Sequence, residues 1–461
     1  MTRLARKLGG FDYFTLSFGT MIGAGWLVVM DDWLGRGGPI GTALGFGLGT
    51  LLLVPVAFTY GSLVALMPDA SSEVAYSARA FGRANLSFAT GWMMTLAYII
   101  VCPWEALAIG KIAAYLLPAW FNQYPLYSIA GTPVYAPNLA LGMTLTVFLT
   151  VLNFRGVRIT ARAQNIATVL FGILFVAFAG FGLVHGNIAN LRPAFSHAPL
   201  VSVLLAMQIV PYFMTGFEAV PKCAEESKPG FGRERFGRAI YAALFTGGAF
   251  YVVVVLLVGF IAPWRQLLGT RFATAVAFQR VGAGKVLVTL IFAAALVSMV
   301  KVANGNFVAG SRLVFGLARA GLIARPLAGV HIRRQTPWLA VIGVGLFTAV
   351  TTLLGDHLLV SVTEVGSLAS ACGWLIACSA FLRLASTTRE RVIAALGSII
   401  SLGFVLLKVL PWVPGSFSRG EYIAFGAWIA TGLVLRFSAK IGQQEHAGNF
   451  SDIAEANAVN D

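Results

Sequence analysis

The sequence predicts an all-α polytopic membrane protein, and three observations carry that prediction. Only 11% of the 461 residues are charged, less than half of the roughly 25% that covers the surface of a soluble domain. Hydrophobic residues make up 58% of the chain, and mean hydropathy is +0.80. The apolar residues gather into about twelve runs, each close to the ~20 residues that a helix needs to cross a hydrocarbon core. The 51 glycines fit as well, since glycine lets lipid-embedded helices pack backbone to backbone. A water-soluble enzyme and an intrinsically disordered chain are excluded.

In chain order the runs cover 11–34, 39–67, 86–117, 137–154, 164–185, 200–221, 238–262, 284–310, 337–355, 358–382, 392–411 and 420–438. The first lacks a small-residue cleavage site and repeats the pattern of its successors, so it reads as a span rather than a cleaved leader. The last is followed by 441–461, polar and rich in Asn and Ala, which reads as a disordered cytoplasmic tail. Lys and Arg set the orientation. With the N-terminus inside, the outer segments hold only Arg36, Arg192, Arg265, Arg271, Arg280, Lys285 and Arg419, while Lys111, Lys301 and Lys408 fall within spans. That leaves 23 of the 33 in inner segments. Cytoplasmic loops carry such an excess, so the chain is expected in the cell (inner) membrane with both termini cytoplasmic.

The same distribution disposes of a nucleic-acid reading of the +15 net charge. The cations are spread over short breaks between spans and form no continuous basic face. Cys102, Cys223, Cys372 and Cys378 lie mostly in or beside apolar runs without metal-ligand spacing, as small core residues do. His185, His197, His331, His357 and His446 fall in loops, at span ends or in the tail. None forms a cluster with Asp, Glu or Cys at ligand spacing. No Gly-x-x-x-x-Gly-Lys-Ser/Thr loop occurs, which removes ATP-driven pumping. No metal and no cofactor is expected.

Two spans are interrupted. The first reads Phe18-Gly19-Thr20-Met21-Ile22-Gly23-Ala24-Gly25-Trp26. The sixth reads Val210-Pro211-Tyr212-Phe213-Met214-Thr215-Gly216-Phe217-Glu218-Ala219-Val220-Pro221. Glycine costs about 1 kcal/mol and proline about 3 kcal/mol inside a helix. At membrane depth, freed backbone groups are tolerated only where they line a cavity or are buried in protein. Breaks in the first and sixth spans suggest two inverted five-helix repeats, 1–192 and 193–386, followed by two extra helices in 387–440. Ordinary glycine packing between straight helices is the alternative. Free N–H groups at a half-helix start, together with the helix dipole, also make an anion site.

At these residues the chain resembles the amino acid–polyamine–organocation family of secondary transporters. Ile22-Gly23-Ala24-Gly25 is similar to that family's Gly-x-Gly break. Pro68-Asp69-Ala70-Ser71-Ser72-Glu73-Val74-Ala75-Tyr76 sits where the family has Pro-x-Ala-Gly-Gly-x-x-x-Tyr, followed by Gly91-Trp92. Gly216-Phe217-Glu218 to Ala224-Glu225-Glu226-Ser227-Lys228-Pro229 resembles the Gly-Phe-Glu and Glu-Glu-x-x-x-Pro block. Ser311-Arg312 through Ala320-Gly321-Leu322 to Thr336-Pro337 resembles the segment after the eighth span. The match covers roughly residues 8–385, and the ordered set is what makes it specific.

The resemblance implies a leucine-transporter-type fold of twelve helices with the first and sixth discontinuous, and alternating access around a central site. It implies that a substrate carboxylate sits on the amides of Gly23, Ala24 and Gly25, between Ile22 and Trp26. Tyr212 would be an aromatic gate. Carbonyls from Phe213 through Thr215 to Gly216, beside Phe217, would take the substrate's ammonium. Glu218 would be the carboxylate linked to protonation or gating.

Ionisable residues at membrane depth cost about 2.5–3.5 kcal/mol on insertion scales, so each one asks for a reason. Glu105 and Lys301 fall near the middle of spans three and eight, which flank the central cavity in the implied fold. Either they pair or share a hydrogen-bond network, or Glu105 faces a wet vestibule and Lys301 snorkels. Sodium-coupled members of this fold hold an ion between span one and a hydroxyl-bearing turn of span eight. Some sodium-independent members place a lysine of span five there. Span five has no Lys or Arg from Ile166 to Val184, so Lys301 is assigned to supply that cation, with Asn304 in the same coupling group. Glu364 and Lys408 are less informative, and Lys408 lies near a span end, where lysine snorkels.

The expected function is secondary active transport of amino acids, sodium-independent, by proton coupling or exchange. Trp26, Trp104 and Tyr212 narrow the pocket, while Glu105 and Glu218 leave room for a cationic substrate. A polyamine or organic-amine carrier is therefore the nearest alternative, followed by a transporter-fold sensor. A membrane enzyme would show a catalytic cluster near a membrane face, and none is visible. The expected partners are a small amino acid or amine, co-transported protons and membrane lipid, with the chain a monomer or homodimer.

Overall fold

The computed structural model describes residues 4–129, 131–355 and 359–458, so His357 lies outside the described residues. Nearly every apolar run becomes helix, because a backbone in lipid must satisfy its polar groups internally. The first span begins as α1 (Gly10–Met21), breaks, and resumes as α2 (Gly25–Val28). α3 (Met30–Leu52) then runs on into the second apolar run, kinked at Gly38, which takes φ +65° ahead of Pro39. α4 (Val54–Leu66) completes that span. The short α5 (Glu73–Phe81) leads to span three, built of α6 (Ala84–Ile99) and α7 (Val101–Leu116).

One element departs from the all-α expectation. After α8 (Pro118–Phe121), β1 (Pro125–Ile129) and β2 (Thr132–Tyr135) pair as an antiparallel hairpin with Ile129 opposite Thr132. Its aromatic and β-branched residues, Tyr127, Ile129, Thr132, Val134 and Tyr135, favour strand. Spans four and five follow as α9 (Ala136–Arg155) and α10 (Val157–His185). α10 starts ahead of its apolar run and takes in Arg158 and Arg162.

Span six is the most divided, into α11 (Pro199–Met207), α12 (Val210–Met214) and α13 (Ala219–Lys222). α14 (Arg233–Ile261) is span seven, α15 (Ala273–Arg280) lies in the next connection, and α16 (Lys285–Arg319) is span eight. α17 (Trp338–Thr352), α18 (Leu359–Leu384), α19 (Thr388–Val409) and α20 (Arg419–Ala458) complete the order. Among the described residues nine helical segments are long and apolar enough to cross a membrane, and the shorter α17 is apolar too. This is a multi-pass membrane protein. The two broken spans contribute no whole crossing helix of their own, because their pieces are short.

α16 forms the centre of the bundle, buried almost without interruption from Ser298 to Ala318 and packed on α1, α6, α7, α10 and α17. α20 is held at the periphery by Trp428, which stacks on Trp92 with ring centroids 4.1 Å apart. Each indole N–H donates to the other's backbone carbonyl, at 3.0 and 3.3 Å. At one end of the bundle the N-terminal segment is laced down by Lys7 and Leu8, whose amides donate to the Glu226 carbonyl. Near that end Arg436 of α20 donates to the carbonyls of Gly321 and Leu322.

Candidate functional site

A helix end leaves carbonyls without intrahelical partners, and at the end of α1 other spans supply donors. Lys301 Nζ donates to the Ile22 carbonyl at 2.7 Å and to the Gly19 carbonyl at 3.5 Å. Ser298 Oγ lies 2.9 and 2.8 Å from the carbonyls of Ile22 and Gly23. Asn306 Nδ2 donates to the Thr20 carbonyl at 3.0 Å, and the Tyr251 hydroxyl of α14 to the Met21 carbonyl at 2.7 Å. Ser298 and Lys301 stand three residues apart on α16, so they share a face. The buried ammonium also lies over Phe18 and Phe171, 5.2 and 4.8 Å from the ring centroids, where a ring face attracts a cation.

The amide side of the same break faces α7. The Ala24 N–H donates to Glu105 Oε1 at 3.4 Å, and Glu105 Oε2 has no partner among the described residues. A Cβ on Gly23 would come within 2.1 Å of Glu105 Oε1. Glu105 and Lys301 thus serve opposite polarities of one break instead of pairing with each other.

The second break is built differently. Thr215 Oγ1 donates to the Pro211 carbonyl at 2.6 Å and meets Ser370 Oγ of α18 at 2.5 Å. Gly216 takes φ +131°, a conformation in which side chains are strained. Its N–H donates to Glu218 Oε2 at 3.1 Å, and Glu218 Oε1 has no partner among the described residues. The Tyr212 N–H donates to Ser367 Oγ at 3.3 Å, and its ring covers Gly366. The two breaks touch. A Cβ on Gly216 would come 2.9 Å from the Met21 backbone nitrogen, and one on Gly25 would come 2.5 Å from the Phe213 ring.

Ile22, Gly23, Ala24, Gly25, Glu105, Phe213, Thr215, Gly216 and Lys301 therefore converge on the two breaks, with Tyr212 and Glu218 adjoining. Trp104 is buried beside Glu105 on α7. Three residues point elsewhere. Trp26 stacks on Phe178 at 5.3 Å, with Phe171 and Phe250 around it, on the side of spans five and seven. Phe217 packs against Tyr60 and Trp374. Asn304 donates to Gln164 at 2.8 Å and accepts from Asn153 at 3.1 Å, tying spans four, five and eight together away from the break. Ser298, Asn306, Ser367 and Ser370 are additions. Ser298 was visible as a hydroxyl one turn before a mid-span lysine; the other three carry no such signal.

The motif blocks that lie far apart in sequence also converge. Arg312 grips Glu226 with two bonds, at 2.8 and 3.2 Å, and Arg319 reaches Asp69 and Glu225 at 2.6 Å each. Ser72 stands at the position of the second glycine in the resembling pattern and takes φ +46°. Lys408 does not snorkel: it is buried and paired with Glu364, which also takes Arg36 at 2.8 Å. Among the described residues no group of His, Cys, Asp and Glu is placed to hold a metal ion.

A multi-pass bundle with two broken helices turned toward a shared centre defines a class of membrane transport proteins. The chain belongs to the amino acid permease family, whose match spans residues 12–413. That family consists of transporters rather than enzymes. The chain is similar to the branched-chain amino acid permease BcaP of Bacillus subtilis (strain 168), 24% identical over 94% of this chain and 93% of the relative. It is also similar to a probable GABA permease of Pseudomonas aeruginosa, 28% identical over 73% of this chain and 70% of the relative. The aromatic amino acid transport protein AroP of Escherichia coli O157:H7 is 23% identical over 76% of this chain and 75% of its own length.

Proposed function

We propose that the chain is a sodium-independent secondary transporter of amino acids, working by alternating access with proton coupling or exchange. The architecture would be two inverted five-helix repeats plus two helices, with both termini cytoplasmic. The observation that carries this reading is Lys301, whose ammonium lies 2.7 Å from the last carbonyl before the first break, beside the Ser298 hydroxyl. A cation between the broken first helix and a hydroxyl-bearing turn of span eight is what sodium would supply. Here a side chain would supply it.

In this reading the substrate carboxylate meets the amides of Gly23, Ala24 and Gly25, and its ammonium meets the carbonyls from Phe213 to Gly216. Glu218 carries the coupled proton. The relatives are named for branched-chain, aromatic and GABA substrates, so the common requirement is a carboxylate and an ammonium rather than one side chain. Uptake of a labelled amino-acid panel into proteoliposomes, with and without sodium and a pH gradient, tests the proposal. Uptake should proceed without sodium and respond to a proton gradient or to internal amino acid; a requirement for sodium overturns it.

A second reading rests on Glu105. Its carboxylate already lies on the Ala24 amide, which suits an amine lacking a carboxylate of its own. Competition by decarboxylated analogues as effective as that by the parent amino acids would favour it.

A further inference from the structure

We propose that Glu73, Lys222 and Glu218 form one proton-carrying unit, with Glu73 as the group that passes the transported proton to the inner face. The inference rests on the proton-coupled reading above. Glu218 sits at the second break, and Lys222 follows it by one turn at the end of α13. Lys222 Nζ donates to the Glu218 carbonyl at 2.9 Å and to Glu73 Oε1, at the head of α5, at 2.5 Å. The Tyr60 hydroxyl donates to the same Glu73 oxygen at 2.7 Å. The Lys222 ammonium lies 5.1 and 5.0 Å from the ring centroids of Tyr60 and Tyr98.

The charges do not balance. Glu73, Lys222 and Glu218 are each 0% exposed, and one lysine, paired with the Glu73 carboxylate and bonded to the Glu218 backbone carbonyl, stands beside two carboxylates. The other titratable groups around them are Tyr60, Tyr76, Tyr98, Cys223 and, from α1, Tyr13, whose hydroxyl donates to the Cys223 carbonyl. The neighbouring Glu226 is matched by Arg312. With both carboxylates ionised the unit carries one uncompensated buried negative charge, a state that is strongly disfavoured. One proton makes it neutral. Glu73 Oε2 and Glu218 Oε1, each without a partner among the described residues, are the two places to put it.

The proton can change places without moving net charge. An O–H bond breaks at Glu218 and one forms at Glu73, while Lys222 shifts its ion pair from Glu73 to Glu218. Release is then a matter of which carboxylate meets water. Glu218 adjoins the substrate break, whereas Glu73 follows Asp69 by one short turn. Asp69 and Glu225 are the water-facing acids there, with side chains 39% and 25% exposed and both bound to Arg319.

Glu73→Gln tests the assignment in proteoliposomes. Counterflow exchange of amino acid, which needs no net proton movement, should stay within about twofold of wild type and so report intact folding. Accumulation driven by an inward proton gradient should fall about tenfold or more, with a flattened pH profile. Glu73→Asp keeps the charge and serves where the amide variant does not fold; it should slow gradient-driven uptake more than exchange. Wild type driven by protons while both variants are driven equally well would overturn the role of Glu73 alone. Wild type indifferent to a proton gradient would overturn the coupled reading itself.

Discussion

The two broken helices solve the same problem in opposite ways. At the first break the carbonyls of Thr20, Met21, Ile22 and Gly23 each have a donor from α14 or α16, among them a cation. At the second break the donors are local, from Tyr212, Thr215 and Gly216, with the Ser367 hydroxyl of α18 accepting, and a carboxylate oxygen of Glu218 is left over. A break whose carbonyls are all satisfied is a fixed joint on that side, since moving it strands buried polar groups at about 1–3 kcal/mol each. A break with an unpartnered carboxylate is a place where a proton or an ammonium can arrive and leave. In the proposed cycle the carbonyl side of the first break is thus the part that holds, while the second break, and the Glu105 side of the first, are the parts left to react.

The largest test of that contrast is Lys301→Ala. It strips donors from the carbonyls of Gly19 and Ile22, a loss on the order of 3 kcal/mol, and initial uptake rates should fall about 100-fold, more than substrate binding weakens. Lys301→Arg should rescue poorly, because a planar guanidinium does not imitate a compact ammonium. Normal transport by Lys301→Ala would erase the distinction between the breaks. Gly25→Leu comes next, since even a Cβ there meets the Phe213 ring. Overpacking of this kind costs about 1–3 kcal/mol, so the protein should still purify folded while equilibrium binding is lost; retained affinity would remove the amides from the substrate site.

Ser298→Ala should be milder. It deletes one hydroxyl from carbonyls that Lys301 still partly serves, worth about 1 kcal/mol or roughly fivefold in uptake. Glu218→Gln should change maximal binding least and the pH–rate profile most, flattening it. A profile identical to wild type would transfer the proton to Glu105, the other buried carboxylate beside a break.

The spans were legible because apolar runs of membrane length have few alternatives to helix. The contact of Lys301 with the first break was legible only through the resemblance, which implies a cation between spans one and eight; the mid-span lysine by itself left snorkelling open. Glu73 and Lys222 were not. Glu73 lies in Pro68-Asp69-Ala70-Ser71-Ser72-Glu73, a polar stretch that reads as a solvated turn, and Lys222 ends a span, where lysines usually reach water. Only tertiary packing, of α5 on α6 and α18 and of α13 on α1, α4 and α16, puts both out of reach of solvent. Trp26 misled for a related reason. Its place next to Gly25 says nothing about which way the ring points, and the cluster of Phe171, Phe178 and Phe250 claims it. The hairpin was hidden because it lies in the connection between two long apolar runs, and only the runs carry the periodic signal of a span.

The chain of charges Asp32–Arg36–Glu364–Lys408 has a parity of its own. Asp32 and Arg36 belong to α3, Glu364 to α18 and Lys408 to the neighbouring α19. Cut between Arg36 and Glu364, the chain falls into two neutral couples, each wholly on one side. Cut at either other link, it leaves a lone ion facing an unbalanced triplet. Any movement that draws α18 and α19 away from α3 therefore has one seam along which to part, and the seam opens without setting a bare charge in either half.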